Sequence, residues 1–185
     1  MTDEASVQLE RVVRFLQGIG LVCTMNPGAH GFIHGVSIRH GSLQIDPFAS
    51  PSSLLHEAGH LSIIPAKFRG LACDDLVSAF EVMFAETDFS DPDSPGARAA
   101  IQCSDPEATA WAWAAGRAVG LAPEVIIQDD EYDGTGKWIR MQLANGHYAG
   151  IHGLAHAGFC AVRESPLSRR QGLAVFPKLN RWLQN

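Results

Sequence analysis

The chain has 185 residues and a formal net charge of −6, long enough for one domain with its own core and slightly short for two. With 46% hydrophobic and 18% charged residues it reads as globular, neither disordered nor fibrous. The basic residues are scattered and outnumbered, so no broad phosphate-binding surface is expected and nucleic acid is excluded as the main partner.

The N-terminal MTDEASVQLERVVRFLQG is acidic and then amphipathic, without the basic start and apolar middle of a secretion signal. No apolar stretch reaches the ~20 residues that cross a bilayer, so no membrane association is expected and the cytoplasm is the expected compartment. Cys23, Cys73, Cys103 and Cys160 lie far apart with no CxxC pair, which predicts free, mostly buried thiols.

In chain order, apolar spacing at Val7, Leu9, Val12, Val13 and Leu16 predicts a helix over residues 5–18, ended by Gly18 and Gly20. FIHGVSIRHGSLQIDP follows as a hairpin: Val36 and Ile38 alternate with polar residues, His40-Gly41 can turn, and Leu43 and Ile45 resume the alternation before Pro47. SPSSLLHEAGHLSIIP predicts a helix capped by Ser50, with Pro51 in its first turn and Pro65 at its far end. A further helix is expected over residues 74–87, a turn at Asp93 to Gly96, and a helix over residues 105–119 capped near Ser104 and ended by Gly120. Shorter helical pieces are expected at 123–129, 136–145 and 149–161; LAVFPKLNRWL fits no single pattern. The expected fold is a single α+β domain over residues 1–185, mostly helical, with a small antiparallel sheet beside the helix that carries HEAGH.

His56-Glu57-Ala58-Gly59-His60 is an HExxH motif. Residues i and i+4 share a helical face, so both imidazoles can point at one ion. Glu57 lies about 100° around from His56, beside the ion, where its carboxylate can take a proton from a bound water. Zinc is the expected metal, because it activates water at neutral pH and keeps one position open for substrate. A chance HExxH would arise about twice in a hundred chains of this His and Glu content. The flanking Leu54, Leu55, Ala58 and Leu61 put the motif on a buried or cleft-lining helix, where two polar rings need a shared partner.

A catalytic zinc takes three protein ligands. Glu107, in SDPEATAWAWAAG, is the expected third, on a helix whose alanines allow close packing against the HEAGH helix; its alternative is a favourable charge at a helix N-terminus. Glu81 is the rival, and Asp105 and Cys103 are further candidates. His147, Tyr148, His152 and His156 cluster in GHYAGIHGLAHAGF. A second metal, ordinary buried histidines or contacts to a developing oxyanion would each account for them, with Tyr148 and His152 the first choices as oxyanion donors. Asp129 to Gly134 begins like a calcium loop, but Gly136 and Arg140 stand where an aliphatic residue and a Glu belong, so it reads as an acidic surface turn.

HEAGHL followed by EATAWAWAAG resembles the zincin metallopeptidases, more narrowly the gluzincins and the ImmA/IrrE-like group, over residues 32–120. The resemblance implies a hairpin before the HExxH helix, His56 and His60 as zinc ligands, Glu57 as general base and Glu107 as third ligand, with a peptide or protein as substrate. The interval from His60 to Glu107 is longer than in that pattern and holds an extra helix, and no helix-turn-helix is evident. Two other readings keep the metal: an amide or ester hydrolase of a small substrate, and a non-catalytic zinc-containing domain that binds a partner protein.

Overall fold

In the computed structural model, which describes residues 3–185, the amphipathic N-terminal segment becomes α1 (Asp3–Gly18). Leu9, Val12 and Leu16 are buried and Val7 stays exposed. Three short strands follow: β1 (Val22–Met25), β2 (Val36–Arg39) and β3 (Ser42–Ile45). His40 (φ 48°) and Gly41 (φ 74°) make the hairpin turn, both left-handed as a two-residue type I′ loop requires.

The sheet order is β1-β3-β2, with β2 and β3 antiparallel but β1 and β3 parallel. The expected antiparallel sheet is therefore mixed. VCTM gives no strand signal because none of its side chains is fully buried; β1 is an edge strand held by backbone pairing, not by an alternating apolar face. On the opposite edge, Ile38 N–H donates to Asp74 Oδ1 (2.6 Å) and the Ser37 hydroxyl to Asp74 Oδ2 (3.0 Å), so β2 is closed by a side chain instead of a strand.

The helices are α2 (Pro51–Ile63), α3 (Ala66–Arg69), α4 (Val77–Glu86), α5 (Pro95–Ile101), α6 (Asp105–Ala118), α7 (Pro123–Ile126), the single turn α8 (Glu131–Gly134), α9 (Gly136–Ala144), α10 (Ala149–His156) and α11 (Pro166–Arg170). The architecture is α+β, largely helical, with a small sheet. α5 begins inside the expected Asp93–Gly96 turn: Ser94 accepts from Ala97 N (3.2 Å) and Pro95 sits in the first turn. Ser and Pro suit a helix start as well as a turn, and here the helix wins.

α2 and α6 cross at the centre of one hydrophobic cluster. Leu54, Leu55, Ala58 and Leu61 of α2 are fully buried, as are Ala108, Ala110 and Ala115 of α6. Gly59 is what lets the axes approach: a Cβ there would stand 2.5 Å from Ala108 O. The same economy operates where α10 meets α6, because a side chain at Gly150 would collide with Pro106 O. Trp111 is completely buried and donates its indole N–H to Trp182 O (2.9 Å), which ties the C-terminal segment onto this pair. Among the described residues no helix is long and apolar enough to cross a membrane. All four cysteines are free, Cys103 and Cys160 buried and Cys23 and Cys73 half-buried.

Candidate metal centre

Ser50 starts α2 as expected, accepting from Ser53 N (2.9 Å) with Pro51 next in the chain. The regular helix carries His56 and His60 onto one face, where their Nε2 atoms lie 3.2 Å apart. The first residue of α6 brings a carboxylate to the same point. Asp105 Oδ1 is 3.1 Å from His60 Nε2 and 3.9 Å from His56 Nε2. Among the described residues these three form the one group of His, Cys, Asp and Glu side chains whose ligand atoms lie close enough together to hold a metal ion. For donors held at about 2.0–2.1 Å around a tetrahedral zinc, the donor–donor separation is about 3.3 Å, so the spacing fits one ion.

The electrostatics prepare the same atoms. Burial, together with the neighbouring His60, pushes His56 down to about 4 against the pull of Asp105, so at neutral pH the ring is the neutral form that ligates. A hydrogen bond from His60 holds Asp105 below the usual carboxylate range. Asp105 is 76% exposed at its side chain, so the group faces open solvent on one side.

Glu57 is buried at 6% exposure, one residue along α2 from His56. Burial pushes its carboxyl up to about 7, His60 opposing the shift and Asp74 and Asp105 adding to it. A carboxyl with its pKa near neutrality can accept and release a proton at the pH where general bases work.

Sequence reasoning missed the residue that orients His56. The acidic turn read as surface delivers Tyr132 inward: its hydroxyl lies 3.1 Å from His56 Nδ1 and 2.9 Å from the hydroxyl of the fully buried Thr109. Tyr132 and Asp133 are both left-handed (φ 54° and 57°), a costly conformation for bulky residues that occurs where a site demands it. Burial pushes the Tyr132 hydroxyl well up, so it stays protonated. With Nδ1 occupied, only Nε2 of His56 faces the Asp105 carboxylate. Tyr132→Phe is expected to keep the fold and weaken metal binding about 10–100-fold, as losses of such supporting partners do. A chelator competition giving wild-type affinity would show that the hydroxyl does not set the ring.

The other candidates divide. Glu107, the expected third ligand, is turned away: its Oε2 accepts from Ser104 N (3.2 Å) and from the Ser104 hydroxyl. A Cβ at Gly153 of α10 would run into the same carboxyl, so Glu107 is enclosed between α6 and α10. Asp105 stands beside the rings in its place. Glu81 is exposed on α4. The Cys103 thiol donates to Ala99 O (3.1 Å) and burial pushes it up to about 12. Tyr148 lines the cleft with His56. His147, His152 and His156 are exposed, not core residues, and His152 and His156 are absent from the ligand group.

The ligand group lies between two cavities that share Phe32 and Asp105. One, of about 450 Å³, reaches past His56 to Tyr132 and Tyr148. The other, of about 650 Å³, reaches past His60 to Asp74 and Phe80. Phe32, 89% exposed, stands over the junction. No family model matches this chain, and comparisons with curated proteins and with solved structures find none similar to it.

Proposed function

We propose that this protein is a zincin-like metal-dependent hydrolase that cleaves peptide bonds, with His56, His60 and Asp105 holding zinc and Glu57 as general base. The observation that carries the reading is the convergence of His56 Nε2, His60 Nε2 and Asp105 Oδ1 at the edge of an open cleft, next to the buried Glu57. Zinc held there would lower the pKa of a water towards about 7 and polarise a substrate carbonyl. Glu57 takes the proton of the attacking water and passes it to the leaving amine. Tyr148, which lines the same cavity as His56 and whose hydroxyl burial pushes up, stays protonated and in this reading donates to the developing oxyanion.

Three protein donors leave one position for substrate, the arrangement of a catalytic site; His152 and His156 do not join to close it. A cavity on each side of the ligand group suits a substrate that extends both ways from the bond being cut, which favours a peptide over a small ester. Four free thiols suit a reducing compartment, and we place this activity in the cytoplasm.

The test is metal analysis of purified wild type beside His60→Ala, together with cleavage of a peptide mixture read by mass spectrometry. Wild type is expected to carry about one zinc per chain and to cleave only when loaded, and His60→Ala to lose both properties. Equal zinc in the two proteins would sink the assignment.

A further inference from the structure

The cavity beyond His56 has a built-in charge that metal binding does not use. Glu131, half-buried on its wall, is held at one oxygen only: Oε2 accepts from the Ser52 hydroxyl (2.7 Å) and from Gln128 N (2.9 Å). Its other oxygen has no hydrogen-bond partner among the described residues. Neither Lys nor Arg lines this cavity, and among the described residues none pairs with Glu131. Ser52, which holds Glu131, lies four residues, about 6 Å, before His56 along α2, and Glu131, His56 and Asp105 line the same cavity. Phe32, Ile33 and Pro106 give the same cavity an apolar part of its wall.

We infer that Glu131 is the specificity residue of this site and that the cavity takes a lysine or arginine side chain flanking the bond to be cut. An aliphatic stem lies against the apolar wall while its cationic head meets a carboxylate already fixed in place. A pinned carboxylate loses little freedom on binding, which favours the cationic substrate over a neutral one of the same shape. The inference rests on the hydrolase reading for its substrate, and on Glu131 for the charge preference that remains when Asp105, on the same wall, holds metal.

The experiment separates the two. NMR titration of metal-free wild type and Glu131→Gln with n-pentylammonium and with n-pentanol reads the preference without any hydrolysis. Gln keeps an oxygen for Ser52 and Gln128 but removes the charge. Wild type is expected to prefer the ammonium, and Glu131→Gln to lower that preference about tenfold, the remainder belonging to the Asp105 carboxylate that lines the same cavity; an unchanged ratio overturns the inference. For zinc-loaded protein, kcat/KM on N-acetylated peptides carrying Lys, Arg or norleucine is expected to favour the cationic peptides about tenfold in wild type. In Glu131→Gln the cationic peptides are expected to fall to the level of the norleucine peptide measured on the same variant. A preference that follows a free N-terminal amine and ignores Lys→norleucine overturns the side-chain assignment. If no peptide is cut, the hydrolase reading fails while the ammonium ratio still decides Glu131.

Discussion

Asp105→Ala is expected to lose bound metal while Glu107→Ala keeps it. Asp105 Oδ1 stands 3.1 Å from His60 Nε2, and removing it leaves two imidazoles, too few protein donors for a catalytic zinc. The loss of affinity should exceed the 10–100-fold that removal of a supporting partner costs. Glu107 instead serves the N-terminus of α6 through Ser104, so Glu107→Ala should lower stability by about 0.5–2 kcal/mol, the range for a lost cap. Metal analysis and urea denaturation of both variants check the pair. Retention of zinc by Asp105→Ala with its loss from Glu107→Ala would reverse the assignment.

Glu57→Gln should retain the metal and lose hydrolysis by about 10²–10⁴-fold, the usual contribution of a positioned general base. The same residue fixes the pH behaviour. Activity needs the carboxylate, so it falls as pH drops through the Glu57 pKa, about 7 without metal and lower beside a bound cation. Stability of the metal-free protein runs the other way. A carboxyl whose folded pKa is raised from 4.5 to about 7 binds more protons folded than unfolded in that window, so its contribution falls as pH rises, by at most about 3 kcal/mol. His56, lowered from 6.5 to about 4, binds more protons unfolded, so its contribution is lost as pH falls through that window. The two slopes oppose each other in the wild type. Glu57→Gln removes one, so metal-free Glu57→Gln is expected to be more stable than wild type at pH 8 and equal to it near pH 4.5. Equal stability at both pH values would show that Glu57 is not ionising in a buried setting, and full hydrolysis by Glu57→Gln would remove it as the base.

Local signals placed most of the frame. Ser50 with Pro51 opens α2, His40-Gly41 turns the hairpin, and Ser104 begins α6 within a residue of where the spacing puts it. One local signal also contained the fate of Glu107. Ser104-Asp105-Pro106-Glu107 is the S-x-x-E pattern of a capping box, which engages the Glu carboxylate at its own helix end; weighing that pattern would have put Asp105 ahead of Glu107 as the candidate third ligand. Tyr132 carried no such signal. An aromatic between Glu131 and Asp133 looks solvated until left-handed backbone turns it inward, and that turn is stabilised by Ser52, seventy-nine positions away in the chain.

Sequence by itself determined what neighbours within a few residues can decide: the i, i+4 imidazole pair, the buried carboxyl between them, the helix starts and the hairpin turn. The tertiary structure brought Asp105 to the two imidazoles, set Tyr132 against His56 Nδ1 and built the walls of the cleft. Those placements depend on α2 and α6 packing at glycine-to-carbonyl distance and on the turn at α8 folding back against α2. A contact between residues far apart in the chain is set by packing and backbone strain over the whole core, and no window of sequence contains it.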